Sequence, residues 1–235
     1  MGQASRTIKL LLDLGKRDQG GASREKRTAL EETVRLLDAA RAFYVAFFLA
    51  HAEKVIERVP YFSEHHREMR ERLISTDKLL TWSEVQTVET AEHPHPLPAW
   101  NFSQAFPDFP FIYRRSVIKD AIGKVRSYLS NLANWQQAGK KRGEPGRTGS
   151  SNHPTRYEGA FSLELDALDL RKTFVRLKVY DGTGWTWVNY PVKYSRYFEQ
   201  RRAEEGWEQQ SPKLSENALL PHQGDQSQKG HVEQA

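Results

Sequence analysis

Cysteine is absent from all 235 residues, and methionine appears only twice. That absence removes disulfide bridges, thiolate zinc sites and cysteine nucleophiles together. Long apolar runs are also missing. The most hydrophobic stretch, residues 42–52 (AFYVAFFLAHA), falls well short of the ~20 apolar residues a bilayer-spanning helix needs, so it predicts a buried helix face. The opening MGQASRTIKLLLDLGKRDQ has a short apolar run that closes at Asp13, a poor signal peptide. A cytoplasmic protein with no membrane partner is the expectation. HExxH, GxSxG, GxxxxGKS and GxGxxG are all missing. Each absence removes a chemistry: helical zinc hydrolysis, the serine nucleophile elbow, P-loop phosphate binding and dinucleotide binding.

The residues that could still support catalysis do not assemble into a set. His93 and His95 are two apart and His65 and His66 adjacent, with His153 distant; no carboxylate stands at zinc-ligand spacing, so these read as loop and surface histidines. Asp166 and Asp169 are close, but a two-metal nuclease needs further converging acids, and LDALDL reads as a turn between strands. The expectation is a chain with no catalytic centre, no cofactor and no metal.

What is present has clear periodicity. Residues 7–14 are β-branched and aliphatic and stop at Gly15, predicting a short strand. From Arg24 to Arg58 there is neither Gly nor Pro, and Leu30, Val34, Leu37, Tyr44 and Phe48 recur at helical spacing, widened by Leu36, Phe43 and Phe47. That predicts one long helix, or two in line, ended by Pro60. Residues 63–74 read as a charged helix. Asp77 or Thr81 is a candidate cap for another through Trp82, Val85 and Val88. HPHPLP (93–98) forbids helix, and residues 100–110 read as an aromatic, proline-rich loop. Residues 113–137 form a second strong helix with Val117, Ile118, Ala121, Ile122, Val125, Leu129 and Leu132 on its apolar face, stopping at Gly139. Then the period changes to two: Phe161, Leu163 and Leu165, then Val175, Leu177 and Val179, followed by DGTG and a returning strand over 185–194. This is a hairpin with good turn chemistry. A polar helix is expected over 197–207, and an unstructured tail over 215–235.

Charge adds a direction. Lys and Arg number 35 against 30 acids, a net +5 with pI near 9.3. Between Tyr113 and Gly159, ten basic residues (Arg114, Arg115, Lys119, Lys124, Arg126, Lys140, Lys141, Arg142, Arg147 and Arg156) face three acids, a local +7. Concentration of this kind suggests an anionic partner more than the total does. On a helical wheel Arg115, Lys119, Arg126 and Ser130 form a stripe beside the apolar face, which Lys140, Lys141 and Arg142 extend. Such a stripe can follow a phosphate backbone; it can equally be an ordinary solvated helix face. On the hairpin, Phe174, Arg176, Lys178 and Tyr180 share one face, and Trp185 and Trp187 share one on the partner strand. Basic and aromatic residues so interleaved suit base stacking with phosphate neutralisation, or aromatic packing under helices with Arg and Lys at the rim.

Taken in order, several stretches resemble the front portion of TnpB-type (OrfB) insertion-sequence transposases. They are TIKLLLDL, LEETVRLLDAARAFYVAFFLAH, PFIYRRSVIKDAIGKVRSYLSNLANWQQAGKKRGEP, the strands around FSLEL, TFVRLKVY and WTWVNYPVKY, and finally GWEQQSPKL. The resemblance implies an α+β fold: a small wedge-like β-barrel with a helical domain inserted after its first strand. It divides the chain into a first barrel strand (6–14), an inserted recognition-like lobe (22–138), the remaining, incomplete barrel (155–214) and a disordered tail (215–235). It also implies binding of guide-type RNA or DNA. The family's nuclease domain and zinc ribbon have no counterpart here, so the chain is expected to be a truncated, non-cleaving copy with no catalytic residue carried over. Arg114, Arg115, Lys119, Arg126, Lys140, Lys141, Arg142, Arg147, Arg156, Arg176 and Lys178 are the candidate nucleic-acid contacts. The rival expectation is a structural or interaction protein with a solvated basic face.

Overall fold

The computed structural model describes residues 22–62, 67–94, 96–140, 143–146, 160–164 and 174–192. The proposed strand over 6–14, the polar helix over 197–207 and the tail lie outside them, as do His65, His66, His95, His153, Asp166 and Asp169.

Helix α1 (Ala22–Ala50) follows the apolar periodicity. Its 29 residues reach about 43 Å at 1.5 Å per residue. That length lets it serve two cores. Ala29 and Leu30 near its start pack with Val175, Leu177, Val179, Tyr190 and Val192 of a sheet. From Leu37 to Phe48 it packs with the other helices. The apolar run over 42–52 supplies this second core: Tyr44, Val45, Phe47 and Phe48 are all buried. Among the described residues, no helix is long and apolar enough to cross a membrane.

The helix ends earlier than predicted. The chain turns at His51, makes one further turn, α2 (Ala52–Val55), and enters strand β1 (Ile56–Phe62). Pro60 therefore lies inside a strand and stops no helix. Its antiparallel partner β2 (Arg67–Leu73) replaces the charged helix expected over 63–74. The register sets Glu57 opposite Arg72 and Arg58 opposite Glu71. Opposite charges across a ladder favour the pairing, and a two-stranded ribbon gives each strand an open side where a proline's missing N–H does no harm. The spacing of REMRERL was compatible with either element; its partner strand decided.

Helix α3 (Thr76–Thr87) begins one or more residues before the expected caps. Ser75 caps it, its hydroxyl accepting from the Lys78 N–H at 3.2 Å. The aromatic loop contains a 3-10 turn over Pro98–Trp100 and one helical turn, α4 (Phe102–Ala105). Phe43, Phe102, Phe106 and Phe109 meet in edge-on and stacked pairs, with centroids 4.7–6.0 Å apart. Helix α5 (Phe111–Gln137) buries Val117, Ile118, Ala121, Ile122 and Val125 as predicted. It ends in a Schellman motif: the Gly139 N–H donates to the Gln136 carbonyl and the Lys140 N–H to that of Trp135, each at 3.1 Å. Gly139 has φ +72°, which glycine adopts without cost.

The hairpin reading holds. Strands β3 (Phe161–Glu164), β4 (Phe174–Tyr180) and β5 (Trp185–Pro191) form an antiparallel sheet in that order. In the β4–β5 turn the Asp181 carboxylate accepts from the Thr183 and Gly184 N–H groups and the Thr183 hydroxyl, which holds it below the usual carboxylate range. Gly182, at φ +99°, supplies the backbone freedom the turn needs. Strand β5 covers Trp185–Pro191 of the predicted 185–194, and residues 193 and 194 lie outside the described residues. The fold is mixed helix and strand, as expected, but the barrel is a correction. Among the described residues the strands form two small antiparallel sheets, neither closed, and five strands in separate pairs and triplets cannot satisfy barrel geometry.

Two hydroxyls fasten helix to sheet. Thr33, fully buried on α1, donates to the Ala29 carbonyl at 2.7 Å and accepts the Tyr180 N–H at 2.7 Å. Tyr190 reaches back from β5 to the Lys26 carbonyl at 3.1 Å.

Candidate nucleic-acid interface

The predicted basic stripe on α5 is partly turned to intramolecular use. Arg114 and Arg115 lie on the first turns of α5, where α3 packs alongside. Both approach Glu84 of α3, Arg114 Nη2 at 3.7 Å from Oε1 and Arg115 Nε at 3.7 Å from Oε2. Both guanidinium groups also lie over the Phe111 ring, 5.3 and 5.2 Å from its centroid. Arg114 and Glu84 are mostly buried, so this is a desolvated ion pair more than a solvent-facing charge. Farther along the helix, Arg126 Nη1 donates to Thr76 Oγ1 at 3.0 Å and Nη2 donates to the Ile74 carbonyl. Its surroundings hold its pKa below the ordinary guanidinium value by desolvation. Arg115 and Arg126 therefore clasp α3 to α5 at opposite ends. Arg114 and Arg126 thus have partners within the fold, while Arg115, with 44% of its side chain exposed, keeps a solvent-facing part beside Glu84.

The remainder divides. Lys119 is exposed on α5. Lys140 is exposed too, but its backbone completes the helix cap and its ammonium lies 5.5 Å from the Trp135 ring centroid. Lys124 is half-buried beside Arg41, and burial followed by that like charge lowers its pKa. Lys141, Arg142, Arg147 and Arg156 lie outside the described residues.

The sheet carries the other candidates, and here the faces are settled. Val175, Leu177 and Val179 point at α1. Phe174, Arg176, Lys178 and Tyr180 occupy the opposite face, as predicted from the period of two. The register places Asn189 opposite Arg176, Trp187 opposite Lys178 and Trp185 opposite Tyr180. The two indoles differ in use. Trp185 is packed against Phe109 and Tyr113, with centroids 5.5 and 5.1 Å away, and belongs to the helical core. Trp187, two residues on, is 41% exposed, and the Arg176 guanidinium lies over it at 5.4 Å from the centroid. The Lys178 backbone is fixed on both sides: its N–H donates to the Ala160 carbonyl at 3.0 Å and its carbonyl accepts from the Tyr113 hydroxyl. Arg176, Lys178, Trp187 and Asn189 thus form a block of four on adjacent strands, held from behind by α1 and at one end by Trp185.

Sequence reading missed Glu84, Trp135 and Asn189. Glu84, one of two acids on α3, carried no local signal: only the packing of α3 on α5 brings it to Arg114 and Arg115. Trp135 and Lys140 are five apart across Gly139, the spacing at which a helix cap brings them together.

A model of the Aq_aa04 family matches residues 19–181. A protein of Aquifex aeolicus (strain VF5), described as the uncharacterized protein aq_aa04, is 38% identical over 99 residues, which make up 40% of this chain and 53% of that relative. The chain thus spans about half the length of the curated relative it matches. No solved structure matches it. The transposase resemblance is overturned. The matched segment runs through the same helices and strand β4, ending at the turn before β5, and no TnpB or OrfB family accompanies the match. Strand, amphipathic helix, Lys/Gly/Pro loop and hairpin are features that many α+β chains share, and their order alone did not identify the family.

Proposed function

The chain belongs to the Aq_aa04 family, and we propose that it is a nucleic-acid-binding module that holds its ligand on the outward face of the β3–β4–β5 sheet. One observation carries the reading: the exposed Arg176–Trp187 pair, with Lys178 in register beside it, on the sheet face opposite α1. An exposed aromatic beside a guanidinium is well suited to an anionic, planar ligand. The net charge of +5 supplies favourable long-range attraction. Lys119, Lys140 and the basic segment with Lys141, Arg142, Arg147 and Arg156 are accessory phosphate contacts in this reading. It assigns the chain no catalytic step, no cofactor, no membrane partner and a cytoplasmic location.

The test is fluorescence anisotropy with labelled RNA and DNA at low and raised salt. The double variant Arg176→Glu/Lys178→Glu is expected to bind at least about tenfold more weakly, with an unchanged circular dichroism spectrum, because two phosphate contacts become repulsive and the salt dependence shrinks with them. Equal affinity of variant and parent overturns the reading. A second reading, an interaction protein with no nucleic-acid role, is favoured by the inward use of Arg114 and Arg126. Replacing Lys140, Lys141 and Arg142 by Glu separates the two: this second reading expects unchanged retention on heparin and nucleic acid.

A further inference from the structure

Resting on that reading, we infer that the sheet face takes a single strand of nucleic acid, with one base stacked on Trp187. The block of four supplies the parts such a contact requires. Trp187 offers exposed indole surface in the middle of β5, while Trp185, on the same face, is covered by Phe109 and Tyr113. Arg176 already lies over the indole, so a cation and a flat base can share one aromatic surface. Lys178 stands directly across from Trp187, and Asn189, exposed and opposite Arg176, presents an amide that can both donate to and accept from a base edge. Neighbours in the block are about 5 Å apart across strands and about 7 Å apart along them, close enough for one nucleotide to meet several at once.

A duplex fits this surface poorly. Its bases are stacked on one another, and a flat sheet meets only its backbone, for which a row of cations is needed. The row that the sequence suggested along α5 is broken: Arg126 is drawn into the fold and Arg115 is partly engaged by Glu84, which leaves Lys119 exposed between them. Among the described residues of β4 and β5, the outward face presents exposed Trp187, Arg176 and Asn189 with Lys178 between them and half-buried Phe174 and Tyr180 at its ends, a composition suited to a stacking platform.

Anisotropy titrations of the full chain with a 15-nucleotide oligo-dT, the matching oligo-U and a blunt duplex of equal length test the inference. Both single strands are expected to bind about tenfold or more tightly than the duplex. Trp187→Ala is expected to weaken single-strand binding by about 5- to 100-fold, the loss of one stacked base, and to leave duplex binding within about twofold. Trp187→Phe should retain most of the affinity. Duplex bound as tightly as single strand, with Trp187→Ala neutral, overturns the single-strand inference while the Arg176→Glu/Lys178→Glu result still stands for the sheet face. No binding of any probe overturns both. If Trp187→Ala loses its folded spectrum, the wild-type preference and the Trp187→Phe affinity decide in its place.

Discussion

Arg126 distinguishes a basic stripe built for a ligand from one built for the fold. In the structure its guanidinium donates to Thr76 Oγ1 and the Ile74 carbonyl, where the chain leaves β2 and enters α3. Hydrogen bonds from a charged donor contribute about 1.5–3 kcal/mol each. Burial works against the charged group, as the lowered pKa indicates, so the sum is reduced. Arg126→Ala should therefore cost about 2 kcal/mol, since the Ile74 carbonyl also loses its partner. For a chain of this size that corresponds to a fall in Tm of about 4–8 °C. Thermal and urea unfolding followed by circular dichroism measure it. The companion measurement is nucleic-acid affinity as a function of salt, at a temperature where the variant is folded. A clasp predicts affinity within about twofold and an unchanged slope. A phosphate contact predicts the reverse: little loss of stability, and a salt slope about 0.9 shallower. That second pattern would refute the assignment of Arg126 to the fold.

Further outcomes follow from other contacts. Tyr190 is buried, and burial raises its pKa above the usual value near 10. Its contribution is complete below pH 10, where both states are protonated. Above that, the unfolded state releases its proton first and stability falls by about 1.4 kcal/mol per pH unit. Tyr190→Phe should lose about 1 kcal/mol at pH 8, through the bond to the Lys26 carbonyl, yet decline less steeply above pH 10. Parallel declines of the two proteins in urea melts between pH 8 and 11 would count against this. Gly139→Ala places a side chain at φ +72° and should destabilise by about 1–2 kcal/mol, read as a lower urea midpoint. An unchanged midpoint would mean the α5 cap contributes little.

Tyr44 shows how a polar group becomes part of the core. Its hydroxyl lies 3.1 Å from Thr87 Oγ1, and that hydroxyl's own proton goes to the Ser83 carbonyl at 2.7 Å. Tyr44 must then be the donor. Burial, the largest influence on it, keeps it protonated and able to donate. The helical stripe placed Tyr44 on the core face; that its hydroxyl ends on α3 was not readable from α1 alone.

Local pattern by itself determined α5, the β4–β5 hairpin and the buried face of α1, though not where α1 ends, because periods of 3.6 and two leave one face apolar and Gly139 and Asp181–Gly182 stop or turn the chain in the first two. It also determined which face of β4 holds Arg176 and Lys178. Tertiary structure alone decided three matters. REMRERL became a strand because residues 56–62 lay across from it as an antiparallel partner. Arg114 and Arg126 turned inward because α3 and the chain before it brought Glu84, Thr76 and the Ile74 carbonyl against them. Trp185 joined the core while Trp187 stayed exposed, because Phe109 and Tyr113 cover one end of the sheet face. A residue's period fixes the face it occupies; whether that face meets solvent or another element depends on segments far away in the chain, which no local pattern encodes.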